Sequence, residues 1–103
     1  LWDYVQHGTK EIAPGVFALS YSREWEARCY TLVYNLWRLL PHLRVPTLAI
    51  RAQDSNTLAA SSWNKWRAMA SDVDFVEIKD AGHLVPFEKP DELARIILDW
   101  VES

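Results

Sequence analysis

The chain has 103 residues, with 11 basic and 14 acidic side chains and a net charge of −3. That length allows one domain with a small core, and weak acidity without a basic run excludes a nucleic-acid surface. Half of the residues are apolar, which is a globular composition, and six tryptophans imply aromatic burial or surfaces that await a partner.

Cys29 is the sole cysteine and can form no internal disulfide, so cysteine usage leaves the compartment open. Its helical, apolar setting reads as an inert, half-buried thiol rather than a nucleophile. No apolar run approaches the roughly 20 residues of a membrane span, and no membrane partner is expected. The opening residues carry no secretory signal pattern. A start at Leu1 rather than methionine fits a processed product or an excised piece.

In chain order, residues 2–7 can form a helical turn, and Ala13-Pro14-Gly15 signals a turn before an extended Val16-Phe17-Ala18-Leu19. Ser22 suits an N-cap, with Glu24 and Glu26 at the positive end of the helix dipole. Leu32, Val33, Leu36, Leu39 and Leu40 then recur at helical spacing up to Pro41. Pro41 and Pro46 bracket a short connector, and it divides the chain into residues 1–42 and 43–103.

The second half alternates strand and helix. Residues 47–51, Thr-Leu-Ala-Ile-Arg, suit a buried strand of a parallel sheet. The polar loop Gln53-Asp54-Ser55-Asn56 follows, and Thr57 is positioned to cap a helix over 58–70. A second strand is expected over 75–79. Pro90 then fits the first turn of a last helix, whose apolar stripe is Leu93, Ile96, Ile97, Trp100 and Val101. This alternation implies parallel strands joined by crossover helices, an α/β class.

Functional residues of an open α/β sheet gather outside the carboxyl ends of its strands. Two loops hold that position here, residues 52–56 and residues 80–88. Adjacent strands lie about 4.8 Å apart, so Asp54 and His83 are expected to emerge side by side. A carboxylate on one imidazole nitrogen fixes the tautomer and frees the other nitrogen to take a proton from a serine hydroxyl. So placed, those two residues are expected to form the acid–base part of a catalytic triad.

Val45-Pro46-Thr47-Leu48-Ala49-Ile50-Arg51, then Asp54, then Ala81-Gly82-His83-Leu84-Val85-Pro86-Phe87-Glu88-Lys89-Pro90 resembles the C-terminal part of the α/β-hydrolase superfamily. The resemblance covers residues 43–102, and its specific part is the loop around His83. It implies a penultimate strand, an acid loop, a last strand, a histidine loop and a closing helix. Residues 1–42 fall where the family has its variable cap, here a helical cap-like segment.

Two departures accompany the resemblance. Ala52 stands where the family usually has a glycine, and the common spacing then puts the acid at Ser55, with Asp54 one residue early. Either the loop is one residue shorter and Asp54 is the acid, or the acid lies elsewhere, as in members that place it after an earlier strand. The nucleophile elbow G-x-S-x-G is not present in these 103 residues. Ser20, Ser22, Ser55, Ser61 and Ser62 read as cap, loop and helix-surface residues.

Among the remaining candidates, Glu88 is expected to brace the histidine loop by accepting backbone hydrogen bonds. His7 and His42 read as solvent-facing. Tyr21, Trp25, Tyr30, Tyr34 and Trp37 either line an acyl or ring-binding pocket beneath a cap or serve as packing.

The expectation is therefore the C-terminal portion of a serine-nucleophile hydrolase of ester or related carbonyl substrates, supplying His83 and Asp54 as site residues. No metal or cofactor is implied. The substrate is a small molecule met in the complete protein, and the chain alone is expected to be inactive and to self-associate or pair with its N-terminal half. The alternative is a non-catalytic interaction module on the same scaffold.

Overall fold

The computed structural model describes residues 2–32 and 35–103. Contacts divide the chain into two units, Leu1–Asn35 and Leu36–Ser103.

The first unit runs α1 (Trp2–Gly8), β1 (Thr9–Ala13), β2 (Val16–Leu19) and α2 (Arg23–Thr31). It is not wholly helical, because β1 and β2 form an antiparallel hairpin. Pro14-Gly15 makes the turn, Gly15 at φ +72 supplies the left-handed residue, and its N–H donates to Glu11 Oε1 at 2.9 Å. At the start of α2 the Ser22 Oγ accepts the Trp25 N–H at 3.1 Å, as its cap position requires. None of the described residues of this unit is buried.

The expected single helix up to Pro41 is replaced by two shorter elements. α2 stops at Thr31, and a 3-10 helix spans Trp37–His42 with Pro41 inside it. At the end of α2 the Thr31 hydroxyl donates back to Arg28 O at 2.7 Å, and the Leu32 N–H bonds to Cys29 O, which tightens and closes the last turn. Val33 and Tyr34, part of the expected periodicity and of the aromatic set, lie outside the described residues.

The second unit adds β3 (Thr47–Ala52), α3 (Ala60–Met69), β4 (Val73–Ile78), the one-turn α4 (Val85–Glu88) and α5 (Pro90–Glu102). β3 and β4 pair in parallel, from Thr47↔Val73 to Ala52↔Ile78. Side chains alternate between the faces of a strand, and paired residues share a face. One face carries Ile50, Ala52, Asp74 and Ile78. Fully buried Ile78 meets Leu93 and Ile96 of α5 there, together with Ala52, Ala81 and Val85, and the Trp100 Nε1–H donates to Asp74 Oδ2 at 2.7 Å. The other face carries Arg51, Phe75 and Glu77. Trp63 and Trp66 of α3 pack edge-on against Phe75, with ring centroids 5.0 and 5.3 Å away. Each face of the pair is thus covered by one helix.

Two local expectations change. Thr57 does not cap α3, which starts after Ala59 without a side-chain cap. The α5 stripe is only partly covered: Leu93 and Ile96 reach the core, while Ile97 and Val101 remain exposed.

Replacing Ile78 with alanine empties the centre of the smaller-residue core and should cost about 2–5 kcal/mol in denaturant unfolding. Ile97→Ala, on the exposed side of the same stripe, should cost less than about 1 kcal/mol.

Candidate active site

The carboxyl ends of β3 and β4 continue into two loops that remain joined. Gln53 N–H donates to Ile78 O at 2.8 Å, and Asp54 N–H donates to Ala81 O at 2.9 Å. The Gln53 Oε1 accepts the Asp80 N–H at 3.3 Å. Asp80 sits at φ +56, which turns the chain sharply off β4. Ala81 is buried against Ile78, so the loop that follows is anchored at its root.

His83 lies two residues beyond that anchor, exposed, with its Nδ1 3.3 Å from Ser55 Oγ. The Ser55 side chain is buried, and its Oγ accepts the Leu58 N–H at 3.2 Å. Asp54 is exposed, and among the described residues its carboxylate has no hydrogen-bond or ion-pair partner. The geometry brings His83 together with Ser55, the residue at the common acid spacing, and not with the Asp54 side chain. The Asp54 N–H bond to Ala81 O joins the loops through the backbone, and across that junction the side chain next to the imidazole is that of Ser55.

Glu88 braces the loop as its position suggested. Both of its carboxylate oxygens accept the Gly82 N–H, at 3.1 and 3.3 Å. A Cβ on Gly82 would sit 3.3 Å from Glu88 Oε2, so this close approach suits a residue without a side chain. The turn of α4 presents Glu88 there, and the Lys89 Nζ donates to Lys79 O at 2.9 Å, closing the loop from its other end.

Arg51 was not singled out by the sequence, yet it organises the same end of the sheet. It is buried, pairs through its guanidinium with Glu77 Oε2 at 2.6 Å, and donates Nε–H to Leu58 O at 2.7 Å. Leu58 in turn donates its N–H to Ser55. An arginine within an apolar strand run is the signal that could have drawn attention to it, since a buried guanidinium demands partners.

The other candidates stand apart from this group. His7 and His42 are exposed, as expected, and Cys29 is exposed rather than half-buried. Trp25 and Tyr30 are exposed as well. Tyr21 lines a small cleft of about 110 Å³ with Tyr4 and Leu19. The Lys65 ammonium stands 4.4 Å from the centre of the Trp37 ring. No cluster of three or more His, Cys, Asp or Glu side chains able to hold a metal occurs among the described residues. None of the described helices is long and apolar enough to cross a membrane.

No family model matches the chain, and no curated protein matches it in sequence. Solved structures do match. E-2-(acetamidomethylene)succinate hydrolase superposes with a TM-score of 0.84 at 19% identity, over 95% of this chain and 37% of that one. MGS-MChE2, an α/β hydrolase enzyme from the metagenome of sediments of the lagoon of Mar Chica, Morocco, superposes with a TM-score of 0.61 at 24% identity. That match covers 66% of this chain and 31% of the other. The chain has part of the α/β-hydrolase fold.

It spans about a third of the length of these two neighbours. Within this α/β-hydrolase frame, the joined loops after β3 and β4 bear His83, Ser55 and Asp54, and Glu88 supports the first of them. Removing that support should be visible without any substrate. Glu88→Ala deletes the charged acceptor of the Gly82 N–H, worth about 1 kcal/mol at an exposed site, and should speed Gly82 amide exchange by roughly fivefold. Hydrogen exchange followed by NMR reads this, with the Ile78 amide as an unaffected internal reference.

Proposed function

We propose that the chain is the C-terminal portion of a hydrolase that uses a serine nucleophile on an ester or related carbonyl substrate, with His83 as its general base. The observation that carries this reading is the placement of His83. It stands on an anchored and braced loop at the carboxyl end of a parallel strand pair, with one ring nitrogen held by a neighbour. Both solved neighbours are hydrolases by name, which supports the reaction class and leaves the substrate to the whole protein.

In this reading the Nε2 of His83 removes the hydroxyl proton as the serine oxygen attacks the carbonyl carbon. The imidazolium then passes that proton to the leaving group as the acyl-enzyme forms. Water repeats the sequence, with Nε2 as base again, and frees the acid and the serine. The site acid is either Asp54, after a rearrangement that carries its carboxylate to Nδ1, or a carboxylate outside these 103 residues. These steps imply no metal or cofactor.

The nucleophile elbow does not occur in the sequence, so the chain alone is expected to be inactive. β3 pairs with β4 on one side, and among the described residues no strand pairs with its other edge. The same edge would take the neighbouring strand of the N-terminal half in the complete protein. Alone, the chain is expected to use it for self-association. Sedimentation should give a mass above the 12.0 kDa of one chain, and a stable, cooperatively folded monomer would count against this.

The test of the catalytic reading is His83→Ala in the protein that contains the nucleophile. It should reduce kcat/KM for a p-nitrophenyl ester by about 10³-fold or more while the circular dichroism stays unchanged. Retained turnover in a folded variant would sink it. A second reading, a non-catalytic interaction module, is favoured by one observation: a neutral hydroxyl, not a carboxylate, lies against His83 Nδ1. A serine-directed fluorophosphonate separates the two, since only the hydrolase is labelled.

A further inference from the structure

We infer that Ser55 is the positioning residue of His83 and that it sets the tautomer of the ring, with the proton on Nε2 when the imidazole is neutral. The functional meaning of this inference rests on the hydrolase reading; the geometry that carries it does not.

A serine hydroxyl has one proton to donate and two lone pairs to accept with. The Ser55 Oγ already accepts the Leu58 N–H at 3.2 Å. Its own proton needs an acceptor, because the side chain is buried and an unpaired buried hydroxyl is costly. Among the described residues, the acceptor within its reach is His83 Nδ1, at 3.3 Å. The hydroxyl therefore donates, Nδ1 presents its lone pair, and the ring proton goes to Nε2.

The direction of this bond is held from behind. The Leu58 backbone that occupies one Ser55 lone pair is itself tied down, since Leu58 O accepts the Arg51 Nε–H at 2.7 Å. Arg51 is held in turn by Glu77 on the neighbouring strand. A continuous chain of polar contacts runs from Glu77 through Arg51, Leu58 and Ser55 to the imidazole. Asp54 has no place in it.

The consequence differs from that of an acid at this position. A carboxylate can only accept, so it keeps the proton on Nδ1 and leaves Nε2 ready as a base. The Ser55 hydroxyl favours the opposite tautomer, in which Nε2 is a hydrogen-bond donor. To act as a base, His83 must move its proton to Nδ1 while the Ser55 hydroxyl turns from donor to acceptor. Ser55 thus sets which ring nitrogen carries the proton, and it is neutral where the acid of a triad is charged.

The test is ¹⁵N–¹H NMR of the His83 ring in the 103-residue chain, at a pH where the ring is neutral. The parent should show the proton on Nε2 and a hydrogen-bonded Nδ1. Ser55→Ala should move the Nδ1 resonance to that of an imidazole without a partner. Ser55→Asp should shift the tautomer ratio toward Nδ1–H by about tenfold or more, because a charge-assisted bond is roughly twice as strong as a neutral one. Asp54→Asn should leave both resonances in place. An Nδ1 resonance that is indifferent to Ser55→Ala, or one that moves in Asp54→Asn, overturns the inference. If Ser55→Asp does not fold, the alanine variant carries the test. No turnover is measured, so failure of this inference is separable from failure of His83→Ala to abolish activity.

Discussion

The second unit is built on the parallel register that sets Ala52 beside Ile78. It ends both strands at the same level, so the two loops that follow start next to each other. A shift of one residue would exchange the faces of one strand against the other. Ile78 would leave its contacts with Leu93 and Ile96, and Arg51 would leave Glu77. The apolar face and the charged pair therefore enforce the same register independently. Small residues at Ala52 and Ala81 let the loop backbones approach closely enough for the Gln53–Ile78 and Asp54–Ala81 hydrogen bonds.

Polar contacts then convert that register into a site. Arg51 is buried, so its charge requires a counter-ion and acceptors, and Glu77 and Leu58 O supply them. The cost of burying a guanidinium is offset only while the geometry holds, which makes the contact sensitive to any change in pairing. Its effect extends along the loop to Ser55 and the imidazole. Glu88 acts on the other side of the histidine, through the Gly82 backbone. The ring is thus supported by two carboxylates that do not touch it, and by one hydroxyl that does.

The first unit is organised by different forces. Its hairpin and two short helices are closed by local bonds, such as Ser22 on Trp25 and Glu11 on Gly15, and none of its described residues is buried. Trp2, Phe17, Trp25 and Tyr30 remain largely exposed. Short-range capping and turn chemistry suffice to shape such a segment, and large-scale apolar burial contributes little to it. The second unit owes its form to burial between strands and helices.

Features set by local chemistry and by periodicity were legible in the order of residues alone. Ser22 as a cap, the turn at Gly15, the strand over residues 47–51, the helix beginning at Pro90 and the bracing role of Glu88 all depend on neighbours within a few residues or on the side-chain type. The α/β class was also legible, because strands alternating with helices admit few arrangements. Which loop residue meets the histidine emerges when the two strands pair. Asp54 and Ser55 are adjacent and both polar, and no local rule chooses between them. The contacts that distinguish them come from far along the chain: Ala81 O, 27 positions on, accepts the Asp54 N–H, and His83 stands beside the Ser55 hydroxyl once the strands pair. The role of Arg51 was hidden for the same reason, since its partners Glu77 and Leu58 come together only when the strands pair.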